Sequence, residues 1–170
     1  MERKKINKIL APTDFSELSQ ASVRYALELA KELKAEVTVY HVVSQGELMQ
    51  YQAGLSEGKT EEQLRPLLHP VDTYQEAMSR FMKTHFADLT ADVKVHEQVE
   101  MGIDEKNIVN LAEEQGMDLI VISTHGRTGL SHMLVGSVTE KVVRLARCPV
   151  LSIPSHSKEE SKGEVAAAAS

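Results

Sequence analysis

Ser123-Thr124-His125-Gly126-Arg127-Thr128-Gly129 leave a continuous apolar run, and the chain then passes Val135 and Gly136 to reach Ser137-Val138-Thr139-Glu140, where a helical pattern starts. A helix N-terminus presents unpaired N–H groups and a partial positive charge, and glycine lets backbone approach an anion closely. Together these are the parts of a phosphate site, to which the hydroxyls of Ser137 and Thr139 would add. The same residues have a plainer reading. Ser137 and Glu140 fit the S-x-x-E box that begins a helix, and Gly126 and Gly129 suit turns. Spacing alone leaves the two readings level.

A second polar cluster follows the first apolar run, at Ala11-Pro12-Thr13-Asp14-Phe15-Ser16. Pro12 stops a strand and places Asp14 at its carboxyl end. A carboxylate there could accept hydrogen bonds from a ribose hydroxyl or an adenine amino group. Capping of the following helix is the commoner use of such a residue. Two familiar nucleotide signatures are missing. The chain has no G-x-x-x-x-G-K-[ST] and no G-x-G-x-x-G after its first strand. The histidines, His41 among them, have no metal-ligand spacing. His125 invites a catalytic role, but a loop or ribose contact explains it as well.

The elements that must position these residues follow from apolar patterning. Ile6 to Ala11, Val37 to Val43, Leu119 to Ile122 and Val150 to Ile153 are short apolar runs. They suggest strands buried on both faces, as in a parallel sheet. Val93, Val95, Gln98 and Val99 suggest a fifth. Helical stripes lie between them. Leu18, Ser22, Tyr25, Leu29 and Leu33 form one, with Ser16 as N-cap. Ile108, Leu111, Ala112 and Gln115 form another, capped by Asp104 and closed at Gly116. Val138, Val142 and Leu145 form a third. A longer helix starts near Thr60 or Val71 and ends near Phe86. The segment from Ser44 to Leu68 reads as a long connection. This βαβαβαβαβ alternation predicts an α/β fold: a single-domain, open, doubly wound, five-stranded parallel sheet with helices on both faces. Ligands of such sheets bind beyond the carboxyl ends of the strands.

Composition bounds the function. The chain has 170 residues and a formal net charge of −6. One domain is expected over residues 1–154, followed by a polar, alanine-rich tail at 155–170 that reads as disordered. The acidic balance disfavours nucleic acid or an anionic membrane as a general partner. No apolar run approaches the length of a membrane span. With no secretory h-region after Met1, the reading is cytoplasmic. Cys148 is the single cysteine, so no intrachain disulfide can form, and it reads as a buried thiol.

Ile9-Leu10-Ala11-Pro12-Thr13-Asp14-Phe15-Ser16, Tyr40-His41-Val42-Val43, the Ser123 to Gly129 stretch, Gly136 to Val143 and Cys148-Pro149-Val150-Leu151 stand in an order that resembles the universal stress protein family. The resemblance covers about residues 4 to 154. ATP-binding members carry G-x2-G-x9-G-[ST]. Gly126, nine intervening residues and Gly136-Ser137 match its later elements, while Ser123 replaces the first glycine.

The resemblance implies a nucleotide site of Pro12, Thr13, Asp14, Val42, Ser123, His125, Gly126, Arg127, Gly129, Gly136, Ser137, Val138 and Thr139. Asp14, Pro12 and Thr13 would line the adenine and ribose end, and Val42 would pack against the base. His125, Gly126 and Arg127 would form the loop near ribose and phosphates. Gly136 to Thr139 would hold the phosphates, with Mg2+ accompanying ATP. It also implies a homodimer through Val150, Leu151, Ser152 and Ile153, a regulated protein partner, and slow or no hydrolysis with no catalytic residue. Weak ATPase or autophosphorylation activity stays open. The alternative is a dimeric interaction module of the same fold that binds no nucleotide. An adenylating enzyme is disfavoured, because Ala11-Pro12-Thr13-Asp14 stands where its pyrophosphate loop would follow the first strand.

Overall fold

The computed structural model describes residues 5–55, 58–125 and 135–154. The expectations for Gly126, Arg127, Gly129 and the tail at 155–170 lie outside the described residues. In chain order the elements are β1 (Lys8–Pro12), α1 (Glu17–Leu33), β2 (Glu36–Ser44), α2 (Gln45–Ala53), α3 (Glu61–Leu68) and α4 (Pro70–Thr90). Then come β3 (Val95–Gly102), α5 (Asp104–Glu114), β4 (Leu119–Ser123), α6 (Ser137–Leu145) and β5 (Val150–Ile153).

All strand pairs are parallel and the order is β3-β2-β1-β4-β5. Ile9 of β1 lies between Val37 of β2 and Leu119 of β4. The winding therefore reverses between β1 and β4, and a crevice opens there because the connections leave to opposite sides. Of the four apolar runs expected to be buried on both faces, β1, β2 and β4 are so buried, as suits the middle of a parallel sheet, whereas β5 ends the sheet and is only partly buried.

Alternation along the strands sorts the core into two layers. Ile9, Ala11, Val37, Val39, Val43 and Val121 pack with Val23, Ala26, Leu27 and Ala30 of α1 and with Met78, Phe81, Met82 and Phe86 of α4. Leu10, Tyr40, Val42, Ile120 and Ile122 pack with Ile108, Leu111 and Ala112 of α5 and Val142 of α6. Each fully buried large apolar side chain contributes about 1.5–3 kcal/mol.

Several expected details are corrected. The buried face of α1 carries Ser19, Ser22, Val23, Ala26, Leu27 and Ala30, whereas Tyr25 and Leu33 are exposed. Small residues let α1 approach the sheet closely, so the stripe with the largest side chains is not the one that packs. Leu145 of α6 is likewise exposed, and Gln115 is the exposed C-cap of α5. Asp104 is the first residue of α5 rather than its cap, which is Ile103. Gly116 does close that helix at φ 62°, with Gly116 N–H donating to Glu113 O (3.2 Å) and Met117 N–H to Ala112 O (2.8 Å). The segment from Ser44 to Leu68 is not a structureless connection but holds α2 and α3. Cys148 is half-buried against the second layer rather than fully enclosed.

Candidate functional site at the switch point

Beyond the ends of β1, β2 and β4 lies a cavity of about 360 Å3. Pro12, Thr13, Asp14, Val42, Ser123, His125, Gly136, Ser137, Val138 and Thr139 all line it. Residues as far apart in the chain as Pro12 at the end of the first strand and Thr139 in the last helix thus meet at one place, as the parallel topology requires.

The β1 end is held by its own polar atoms. Thr13 N–H donates to Tyr40 O (2.8 Å), and the Thr13 and Ser19 hydroxyls lie 2.8 Å apart. Ser16 caps α1 by accepting from Ser19 N–H (3.2 Å). One oxygen of Asp14 accepts from both the backbone N–H and the hydroxyl of Ser16. Asp14 therefore supports the start of α1 while its half-buried side chain borders the cavity. Phe15 adopts φ 62°, a left-handed conformation that bulky residues rarely take. Its ring lies 4.3 Å from that of His41 and 5.4 Å from that of Phe81, contacts that hold it there.

The β4 end is stitched to the start of α6. Gly136 N–H donates to Thr124 O (2.7 Å), and the Thr139 hydroxyl donates to Ser123 O (2.7 Å). The Ser123 hydroxyl donates to His125 O (2.7 Å), so the serine braces the turn that it enters. A Cβ on Gly136 would sit 3.2 Å from Thr124 O, which is why this position suits glycine.

Two expectations change here. Ser137 is the first residue of α6, and the N-cap is Gly136, so the S-x-x-E box does not form. The Thr139 hydroxyl proton is committed to Ser123 O, which leaves the Thr139 backbone amide rather than that proton for a ligand. Glycine has no side chain with which to cap a helix. The amides of Ser137, Val138 and Thr139 begin α6 beside the cavity with no cap from residue 136.

Sequence reasoning missed one wall. Ser44, Gly46, Glu47 and Gln50, from the end of β2 and from α2, line the cavity, as do Tyr40, His41, Asp104 and Ile108. A signal for α2 was present in Ser44-Gln45-Gly46-Glu47, an S-x-x-E spacing directly after a strand, and Ser44 Oγ accepts from Glu47 N–H (3.2 Å).

Electrostatics around the wall are set by a few pairs. The Tyr40 hydroxyl donates to Glu100 (2.8 Å), and burial first, then that carboxylate, pushes its pKa above the ordinary phenol range. Lys141 of α6 meets Glu105 of α5 at 2.9 Å and lowers the carboxyl pKa. Among the described residues, no group of three or more His, Cys, Asp or Glu side chains could hold a metal ion, and no helix is long and apolar enough to cross a membrane.

An open parallel sheet with a polar crevice at its reversal point, and a helix start opening into that crevice, defines the class of doubly wound α/β proteins that bind ligands at the strand ends. Within that class the chain belongs to the universal stress protein family, whose model matches residues 5–154. Universal stress protein MJ0531 of Methanocaldococcus jannaschii is 37% identical over 152 residues, covering 89% of this chain and 84% of that protein. The solved structure of MJ0577, from the same organism, superimposes with a TM-score of 0.68 at 29% identity, covering 91% of this chain and 99% of that one. A universal stress protein solved in complex with cAMP shares the fold, with a TM-score of 0.60 at 18% identity over 90% of this chain and 100% of that one.

Proposed function

We propose that this chain binds ATP in the cleft at the switch point and acts as a nucleotide-responsive regulatory dimer rather than as an enzyme of fast turnover. The observation that carries the reading is the start of α6. Three successive backbone amides, with the positive end of the helix dipole, border a cavity that Pro12, Thr13, Asp14 and Val42 also line, from the ends of β1 and β2. That arrangement suits a phosphate tail at one end and a base with ribose at the other. A protein of the same fold solved with cAMP supports an adenine nucleotide as the ligand class. Ser123 in place of glycine is compatible with the reading, because its hydroxyl is absorbed by the His125 carbonyl. Mg2+ would be held largely by phosphate and water, since the described residues hold no clustered carboxylate cage.

Slow hydrolysis at best accompanies this reading, because the sequence lacks a P-loop lysine to follow charge onto a leaving phosphate. The dimer reading rests on β5, which pairs with β4 on one side and ends the sheet. Exposed Val143 and Leu145 on neighbouring α6 add apolar surface near that edge.

Calorimetric titration with ATP, AMP and cAMP, each with and without magnesium, tests the ligand. Saturable heat with an adenine nucleotide is expected. Flat titrations throughout, together with no nucleotide released from denatured purified protein, would favour the interaction module that binds none.

A further inference from the structure

His41 forms part of the cleft wall near the end of β2, with its side chain 3% exposed. Its Nδ1 lies 2.8 Å from the Thr13 carbonyl oxygen. A carbonyl oxygen can only accept, so Nδ1 carries the hydrogen. The other nitrogen, Nε2, is buried without an aligned hydrogen bond and faces Oε2 of Glu47 at 3.4 Å. With a lone pair on Nε2, two electron-rich atoms oppose each other. With a proton there, the ring becomes a cation between a carbonyl and a carboxylate, the Nε2 contact turns favourable and the Nδ1 hydrogen bond is kept. Imidazole is the side chain that ordinarily changes charge near neutral pH.

Glu47 stands in the first turn of α2, with its side chain 12% exposed. That helix buries none of its residues. Leu48 rests partly buried against the core, and the Ser44 hydroxyl caps the Glu47 amide. So thin an attachment makes local opening inexpensive. Gly46, Glu47 and Gln50 nevertheless form one wall of the cleft. The His41–Glu47 contact thus links that wall to the sheet.

The other groups around the ring leave the proton to this pair. From α4, Tyr74 stacks on the imidazole at 5.2 Å. From the segment after β1, Phe15 packs at 4.3 Å, and an oxygen of nearby Asp14 is engaged by Ser16. Ser19 of α1 bonds the Thr13 hydroxyl. On β3, Val99 lies opposite His41, while Glu97 accepts from Ser79.

We propose that His41 is a positioning residue that operates α2 by proton uptake. Protonated at Nε2 from solvent, it holds Glu47 and keeps α2 closed on the cleft; on returning that proton to solvent, it releases the helix. The consequence for ligand exchange rests on the nucleotide reading above, whereas the latch itself does not.

Hydrogen exchange of residues 45–53 in the full chain without nucleotide tests the latch. Rates at about pH 6 and about pH 8 are compared after correction for intrinsic exchange, in wild type and Glu47→Gln. Wild type should be protected about three- to ten-fold more at the lower pH, as suits an ion pair of this burial, and the variant should show equal protection at both. The same pH ratio in the two proteins would overturn the proposal. ATP with magnesium should also leave wild type several-fold more slowly at about pH 6 than at about pH 8, a difference that Glu47→Gln removes. An exchange difference without any ATP binding would uphold the latch and remove the nucleotide reading instead.

Discussion

Two helices begin beside the cleft, α1 after β1 and α6 after β4, and they satisfy their first turns differently. The start of α1 is closed by its own side chains. Ser16 takes the Ser19 amide, and Asp14 takes the Ser16 amide and hydroxyl. The start of α6 has glycine as its cap, so its leading amides border the cavity without a cap from that residue. Both helices direct the same dipole toward the same end of the sheet, yet one start is closed by side chains of its own segment and the other has no cap from its N-cap residue. The contrast sets a residue without a side chain, whose Cβ would crowd Thr124 O, at 136 against a capping hydroxyl at 16.

The strongest way to break this contrast is to place a negative charge at the open end. Ser137→Asp should weaken ATP binding by about 100-fold, since an added carboxylate opposes the phosphates. The folded state should gain about 0.3–1 kcal/mol from the helix dipole. Calorimetry and thermal unfolding read the two effects separately. Lost stability alongside lost binding would mean that the α6 terminus is structural rather than ligand-facing.

Next in size are two hydroxyl deletions that compare how each helix start is secured. Thr139→Val removes the donor to the buried Ser123 carbonyl and should cost about 1–3 kcal/mol in denaturant unfolding. Ser16→Ala removes a cap and should cost about 1 kcal/mol. On the proposed nucleotide reading, ATP affinity should fall more in the first than in the second, because Thr139 ties the start of α6 to the end of β4. The reverse order would assign the ligand to the α1 side.

The smallest effect lies at the opposite end of the sheet. Glu36 at the start of β2 meets Lys94 at 2.8 Å and His96 at 3.1 Å, and these partners hold its carboxyl pKa down to about 2, from an ordinary 4.5. A depressed carboxylate stabilises the fold fully above its unfolded pKa and loses that contribution as pH falls from there toward about 2. Solvent screening reduces the gain to about 1 kcal/mol or less. Glu36→Gln should therefore flatten acid unfolding slightly in that window and leave the pH dependence of α2 exchange untouched. A changed α2 profile would break the separation of the two ends.

Much of this was legible in the chain itself. Buried strands announce themselves because both faces must be apolar, and Ser16 and Gly116 announce helix ends because few residues serve there. What misled was size. Tyr25 and Leu33 suggest the inner face of α1, yet Ala26 and Ala30 pack, since close approach to the sheet favours small side chains. Helix α2 was hidden because it buries no residue, whereas the start near Thr60 was one of the two expected for the longer helix, which the structure divides into α3 and α4.

Local chemistry and residue order were sufficient to determine the five strands and their parallel winding, because apolar runs and the helices between them are written along the chain. Tertiary structure alone decided that the Thr139 hydroxyl would serve the Ser123 carbonyl and that His41 would face Glu47 across the cleft wall. Those partnerships depend on distances between elements, which packing sets and no periodicity encodes.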